Sequence, residues 1–437
     1  MIGFAPGLRL KRQEEVMNTK TLKKAMTAGG LLALLAGVVL GQEPVSPPPV
    51  NALSTRYLIQ DLGIVGPVEG QPFVITANGY VAGLAVVPSG GASVAHAVYW
   101  HGTSMKDISY PGLGGANSAA FGVNIWGQVV GEAENAKPDP NGEDFCGFQS
   151  LGFATQANSC LPYLFQNGAM TALPTLRDDS GKSGVSGQAW QINTFGVAVG
   201  SSENTTSDTT CPGLPTSHQK FQFKPVVWYK LFPWSEERIR ELSTVSGDPD
   251  GVALAVNERG EAAGGSGTCG PFNAISLFNL VPRHAILWQN GKPIDLGSLG
   301  GDGLFGGIYA SGLNNVGQVV GLSDTTNDAS FHAFLWENGH MTDLQTLPGD
   351  SYSVATAISD RGVVLGVSID ANFNIRAFIW QHGNMQDLNG LVSGSTPLFL
   401  QTACSINARG EIDGIAFDRA SGEFHAYKAI PQATDSD

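Results

Sequence analysis

The 437 residues carry 38 Asp+Glu against 24 Lys+Arg, a formal net charge of −14, and only 14% of the chain is charged. So negative a balance opposes phosphate backbones and anionic lipid surfaces, which excludes nucleic acid as a main partner. With 57 glycines and 24 prolines, tight turns must be frequent and long helices few, and an all-β chain of many short strands fits.

At the N-terminus Arg9, Lys11, Arg12, Lys20, Lys23 and Lys24 precede the apolar run AMTAGGLLALLAGVVLG, residues 25–41. A basic region, an apolar stretch and the modest residues Val39 and Gly41 at the cleavage positions read as a secretory signal over residues 1–41. Met1 or Met17 is the start, and an uncleaved anchor is the alternative, since the run approaches bilayer-spanning length. Residues 42–55, with QEPVSPPPV, read as a stiff proline-rich spacer. After cleavage no membrane span is expected. Removing the segment takes away six basic and two acidic side chains, so the mature chain is more acidic still.

From residue 56 onward the chain repeats itself. One phrase is aliphatic–Asn–x–x–Gly–x–x–x–Gly, as in LNNVGQVVG from Leu313. Its first glycine recurs at Gly79, Gly127, Gly196, Gly260, Gly317, Gly362 and Gly410, with Thr76 and Ser359 in place of Asn twice. Asn, Ser and Thr all offer an oxygen that opens a turn, and the glycine closes it at positive φ. A second phrase, HAFLWENGHMTDL from His332, alternates like a strand, turns at Asn338-Gly339 and returns.

Each repeat therefore holds four short strands, and such units repeated several times mark a β-propeller. The small-residue first strand suits the crowded axis. Trp100, Trp228, Trp288, Trp336 and Trp380 stand on the third strand, where wider gaps need bulk. The N-terminal RYLIQDL is an orphan fourth strand, and the C-terminal FHAYKAI an orphan third strand. Pairing them closes the ring and removes free sheet edges. The expectation is one domain over residues 56–430, a seven-bladed β-propeller of four-stranded blades, with a disordered tail at 431–437.

These phrases resemble the bacterial extracellular repeat family named HAF after its His-Ala-Phe. The resemblance rests on His332-Ala333-Phe334-Leu335-Trp336, on Asp343-Leu344 and on the Asn-x-x-Gly-x-x-x-Gly runs, and it covers nearly all of residues 56–430. It implies secretion and supplies no established reaction. Leu161 and Lys224 replace the His, and Phe165 the Trp, in the second and third repeats, where distortion is expected.

His96, His284, His332 and His425 occupy equivalent positions. A ring of imidazoles on separate blades is too dispersed for zinc, so a structural histidine at a strand start is the reading. The recurring Asp61, Asp107, Asp295, Asp343 and Asp387 read as Asx caps on the blade-exit corners. No cofactor is expected; calcium would need several converging oxygens, and GGDGLFGG around Asp302 is the best corner for it. GxSxG, HExxH and Walker patterns are missing.

Long links between second and third strands, at residues 132–161, 201–224 and 265–283, emerge on one face. They contain Cys146, Cys160, Cys211 and Cys269. Three pairings are open, with Cys146–Cys160 and Cys211–Cys269 preferred, and Cys404 is expected as a buried free thiol. Long loops on a rigid scaffold are where function usually lives. The reading is a secreted, monomeric, non-catalytic scaffold at the cell surface or in the medium, binding an extracellular protein or glycan. The alternative is a secreted hydrolase or lyase with an acidic site at the channel mouth.

Overall fold

The computed structural model describes residues 55–432, apart from short stretches at 64–67, 76–78, 103, 156, 179–180, 212–218, 231–234 and 274–277. The expected signal segment and nearly all of the spacer lie outside the described residues, as do residues 433–437.

The strands form seven antiparallel sheets, six of them stepping in chain order from an inner strand to an outer one. The first six blades span 68–107, 114–172, 187–241, 250–295, 308–345 and 352–387. Inner strands of successive blades touch all the way round, the seventh meeting the first. The fold is a seven-bladed β-propeller. Blade 7 takes its outermost strand, Arg56–Gly63, from the start of the chain, with Arg56 opposite Gln432 on the strand Glu423–Gln432. That strand runs two residues past the expected domain end at 430. The inner strand of blade 7 also differs from expectation, being split into Leu398–Leu400 and Ser405–Ile406. The split arises where the Gln401 and Thr402 N–H groups both turn to Ile415 O, at 2.9 and 3.1 Å. Blades 2 and 3 keep four regular strands despite their sequence departures.

The asparagine of the inner hairpin does two jobs in blades 2 to 5. Asn257 Oδ1 accepts from the Arg259 and Glu261 N–H groups, both at 3.0 Å, which folds the turn. Its Nδ2 donates to Asn314 O of the next blade at 3.1 Å. The same link runs from Asn124 to Asn193 O (3.0 Å), Asn193 to Asn257 O (3.0 Å) and Asn314 to Ser359 O (2.9 Å). Ser359 keeps the turn by accepting from the Val363 N–H at 3.1 Å, but a hydroxyl cannot extend the amide link. The expectation covered the oxygen; the nitrogen carries the coupling between blades.

The two glycines of the phrase answer to different constraints. Gly317 sits at φ +91 in the turn, whereas the second, Gly321, has ordinary φ but no room: a Cβ there would run into Tyr309 O of the inner strand. The crowding comes from a bulge, since the inner strand shifts register between Ala310 and Gly312. The outer hairpins turn on positive-φ pairs, Asn338 (51°) with Gly339 (82°) and, in blade 6, His382 (51°) with Gly383 (81°).

On the third strand Trp100, Trp228 and Trp288 are buried, while Trp336 and Trp380 are only partly so. Trp228 Nε1 donates to Pro174 O and Trp288 Nε1 to Ser243 O, each at 2.7 Å, reaching the exit corner of the preceding blade. Buried serines do the converse. Ser202, Ser266, Ser323 and Ser368 accept from the Leu176, Val245, Leu299 and Leu347 N–H groups at 2.9–3.3 Å.

Two predictions follow from these contacts. Gly321→Ala forces a Cβ into a carbonyl and should cost about 1–3 kcal/mol in denaturant unfolding. Gly339→Ala, where nothing lies within 4 Å, should cost only about 1 kcal/mol through its positive φ. Asn257→Ser should retain the turn and lose the inter-blade donor, destabilising by about 1 kcal/mol, and Asn257→Ala should lose about as much again. Equal losses for Ser and Ala would refute the two-job assignment.

Candidate functional site

Links between second and third strands, and corners between blades, lie on the same face, as the antiparallel meander requires. There the first insertion folds inward. Its Phe145 and Phe148 join Leu84, Phe121, Phe223 and Val252, from blades 1 to 4, in one apolar cluster. Phe121 stacks on Trp190 of the next inner strand, centroids 4.2 Å apart. The preferred pairing of cysteines is the one present. Cys146–Cys160 (Cα–Cα 5.8 Å) closes the first insertion, and Cys211–Cys269 (5.2 Å) ties blade 3 to blade 4. Cys404 is a free, partly exposed residue, and burial of its thiol pushes the pKa up to about 12.

Acidic residues beneath this face are buried. Glu134, Glu203 and Asp324 stand three residues after the second glycine of their repeats. Glu134 receives the Asn117 N–H at 3.2 Å, Glu203 the Ser186 N–H at 2.8 Å, and Asp324 those of Phe305 and Gly306 at 2.8 and 2.7 Å. They thus fasten the corner by which the chain enters each blade. Burial pushes Asp324 up to about 6. Asp250 accepts from the Phe223 N–H at 3.0 Å, and burial, then the neighbouring Asp208, push it up to about 8. None of these acids belongs to a motif singled out from the sequence. The recurrent spacing of Gly131 to Glu134, Gly200 to Glu203 and Gly321 to Asp324 was the available signal.

The histidines and the corner aspartates, read separately from sequence, are partners. His96 bonds Asp107 at 2.7 Å, His332 bonds Asp343 at 3.0 Å, and His425 bonds Asp61 at 2.9 Å across the ring closure. His284 instead takes Asp248 at 2.8 Å, with Asp295 at 4.0 Å. Arg376 keeps the scheme with Asp350 at 2.7 Å and Asp387 at 3.5 Å. Asp61, Asp107, Asp295, Asp343 and Asp387 also cap their corners, as Asp343 does with the Gln345 N–H at 2.7 Å. Burial would raise the Asp343 carboxyl, but His332 and the Gln345 N–H outweigh it and hold it low. Histidine and aspartate stand eleven residues apart in three repeats, a constant the sequence displays. A cleft of about 350 Å³ lies beside Arg283, His284, Asp295 and Asp302, where His284 and Asp295 hold the positions of the His–Asp pair in blades 1 and 5 but stand 4.0 Å apart.

At the Asp302 corner, Asp328 Oδ1 accepts the Asp302 N–H at 2.9 Å, and the hydrogen bond between the two side chains raises the Asp302 carboxyl. On blades 5 to 7 the same face carries aromatic rings. Phe305, Phe331 and Phe373 surround Tyr352 with centroids 5.9, 4.8 and 6.3 Å from it, and Phe417 meets Phe424 at 5.5 Å. All but Phe331 are partly exposed, and Leu304 beside them is 59% exposed. Insertions over blades 2–4 thus face a crescent of aromatic rings over blades 5–7.

No family model and no curated protein matches the chain. Among solved structures it is similar to a puromycin-hydrolyzing peptidase of Mycobacterium tuberculosis, at 12% identity and TM-score 0.45, over 82% of this chain and 53% of that one. It is similar also to the β-propeller domain of the Trilobed protease from Pyrococcus furiosus, at 8% identity and TM-score 0.44, over 87% and 99%. A third is a gluconolactonase from Xanthomonas campestris, at 8% identity and TM-score 0.35, over 90% and 99%. The chain spans about half the length of the first of these, and the likeness concerns the fold alone.

Asp250 sets a pH dependence of stability. Its folded pKa of about 8 exceeds the ordinary 3.8, so the folded state holds the proton more tightly. That contribution is complete below about pH 4 and is lost as the pH rises through 8. Asp250→Asn should flatten part of the decline in unfolding free energy between pH 5 and 9, measured in urea; an unchanged slope would show that the carboxyl is ionised when folded.

Proposed function

We propose that the chain is an exported, monomeric binding scaffold of the HAF-repeat kind, holding an extracellular protein or glycan on the insertion-bearing face and catalysing no reaction. The aromatic crescent carries this reading. Partly exposed Phe305, Tyr352 and Phe373 offer flat apolar area at low conformational cost, which suits both sugar faces and protein hot spots. The hydrolase or lyase alternative needs carboxylates free to act on a substrate, whereas the recurrent acids Glu134, Glu203 and Asp250 are buried and accept backbone N–H groups. Two disulfides accord with an oxidising compartment. Among the described residues no helix is long and apolar enough to cross a membrane.

Deleting the insertions is not a clean test, because Phe145 and Phe148 belong to the core. Substituting the crescent is cleaner. The immobilised mature domain should capture a surface glycan or secreted protein from the producing cells. Tyr352→Ala with Phe373→Ala should weaken capture by about 2 kcal/mol, or roughly thirtyfold, with the melting transition still cooperative. Undiminished capture by the double variant sinks the assignment of this face.

A further inference from the structure

We propose that the cleft between blade 4 and the link into blade 5 seats one neutral sugar ring, so that the partner held on this face is a neutral glycan. The inference rests on the reading of the insertion-bearing face as the binding face, and it names the partner's chemistry.

The cleft lies where the repeat is broken. In the other six blades the second and third strands pair without interruption through the His position, as Ser323 with His332 and then Asp324 with Phe331. The residue before that position is apolar in all six: Ala95, Cys160, Phe223, Phe331, Ile375 and Phe424. In blade 4, Ser266 pairs with His284 but Gly267 pairs with Pro282, so Arg283 is an extra residue bulged out of the ladder. A bulge re-aims a side chain. Arg283 and His284 accordingly line the same cleft, although neighbours on a regular strand point to opposite faces.

The bulge leaves polar groups open. Arg283 is partly exposed, and among the described residues no hydrogen bond or ion pair engages its guanidinium. Its charge acts on the Asp302 carboxyl only from beyond ion-pair distance. His284 bonds Asp248 through Nδ1 at 2.8 Å, while its Nε2 stands 4.0 Å from Asp295 Oδ2, too far for a hydrogen bond. Asp295 uses Oδ1 for the Gly297 N–H at 3.0 Å, and its side chain is 44% exposed. In blade 6 the longer Arg376 reaches both corresponding acids, Asp350 and Asp387. Blade 4 leaves the gap unfilled.

Charge selects the ligand. An anion drawn to Arg283 would also face Asp295 and Asp302, and a cation drawn to those two would face Arg283. A hydroxyl both donates and accepts, so neighbouring hydroxyls on a ring satisfy a guanidinium and a carboxylate together without bringing charge. A protein side chain with a single hydroxyl engages only one of them. The volume of about 350 Å³ lies at the small end of ligand sites, about 300–1,000 Å³, which suits one ring, and buried Ile308 supplies an apolar wall. The link that carries Asp302 continues into Leu304 and Phe305, and Phe305 stands 5.9 Å from Tyr352. A saccharide chain leaving the cleft therefore runs onto the aromatic crescent.

The test titrates the full disulfide-bonded chain with glucose, galactose and mannose, and with a linear tetrasaccharide of each, by calorimetry and ligand-observed NMR. At least one hexose should bind, and its tetrasaccharide more tightly. Arg283→Met should weaken both forms roughly tenfold or more. Arg283→Lys, which keeps the charge but loses the planar fork, should weaken both as well. Tyr352→Ala with Phe373→Ala should weaken the tetrasaccharide and spare the monosaccharide, each variant melting cooperatively. Binding of no neutral sugar, or sugar binding undiminished in both Arg283 variants, overturns the proposal. Arg283-dependent binding of glucuronate or glucosamine in preference to the neutral hexoses overturns it too. Capture from the producing cells that is lost in the crescent variant yet kept in Arg283→Met removes the sugar site and leaves the binding face standing.

Discussion

A ring of sheets has no natural end, so one blade must be completed by strand hydrogen bonds between distant parts of the chain. Here the strand Arg56–Gly63 lies against Glu423–Gln432, and His425 bonds Asp61 across the same junction. Without that strand, blade 7 exposes an edge on its widest side, and the contact of its inner strand with blade 1 loses support. The pairing spans nearly the whole chain, so the ring cannot shut until every other blade is in place. What makes late closure feasible is that the other blades are largely coupled already.

That coupling is local and polar near the axis and apolar between the sheets. An asparagine amide joins each inner hairpin to the next from blade 2 to blade 6. It needs no extra residue, because the same side chain already folds the turn. Further out, a buried serine receives an N–H of the preceding exit corner, and a tryptophan N–H reaches the same corner. The gap between blades is thus pinned at inner hairpin, corner and third strand. This explains why blade 3 stays regular with Lys224 where others have histidine: its Ser202, Trp228 and Asn193 are intact.

The repeat made the fold readable before any coordinates. Blade number, strand order and ring closure follow from two phrases counted along the chain, because each hairpin is specified within a dozen residues. The turn glycines at Gly127 or Gly317 were legible for the same reason. The second glycine was not, since its constraint is a carbonyl across a bulge, invisible along the strand. The pairing of His332 with Asp343 was present in the sequence as a constant spacing, but two separate structural explanations concealed it. The acids at Glu203 and Asp250 were hidden for a different reason: their meaning depends on burial, and an acidic chain offers too many carboxylates to single any out.

The insertions alter the balance on one side of the ring. In blades 5 and 6 the short links leave aromatic rings such as Tyr352 and Phe373 partly open to solvent. In blades 2 to 4 the corresponding level is covered by Phe145 and Phe148, and covering it traps carboxylates that serve the entry corners. Glu134 and Glu203 are the counterparts of Asp324, and the first insertion adds the buried Asp139 and Glu143, burial raising the carboxyls of Glu143 and Glu203. Two disulfides hold that cover down. This half of the face thus buries its acids beneath an apolar cover, while the other half leaves aromatic rings partly exposed.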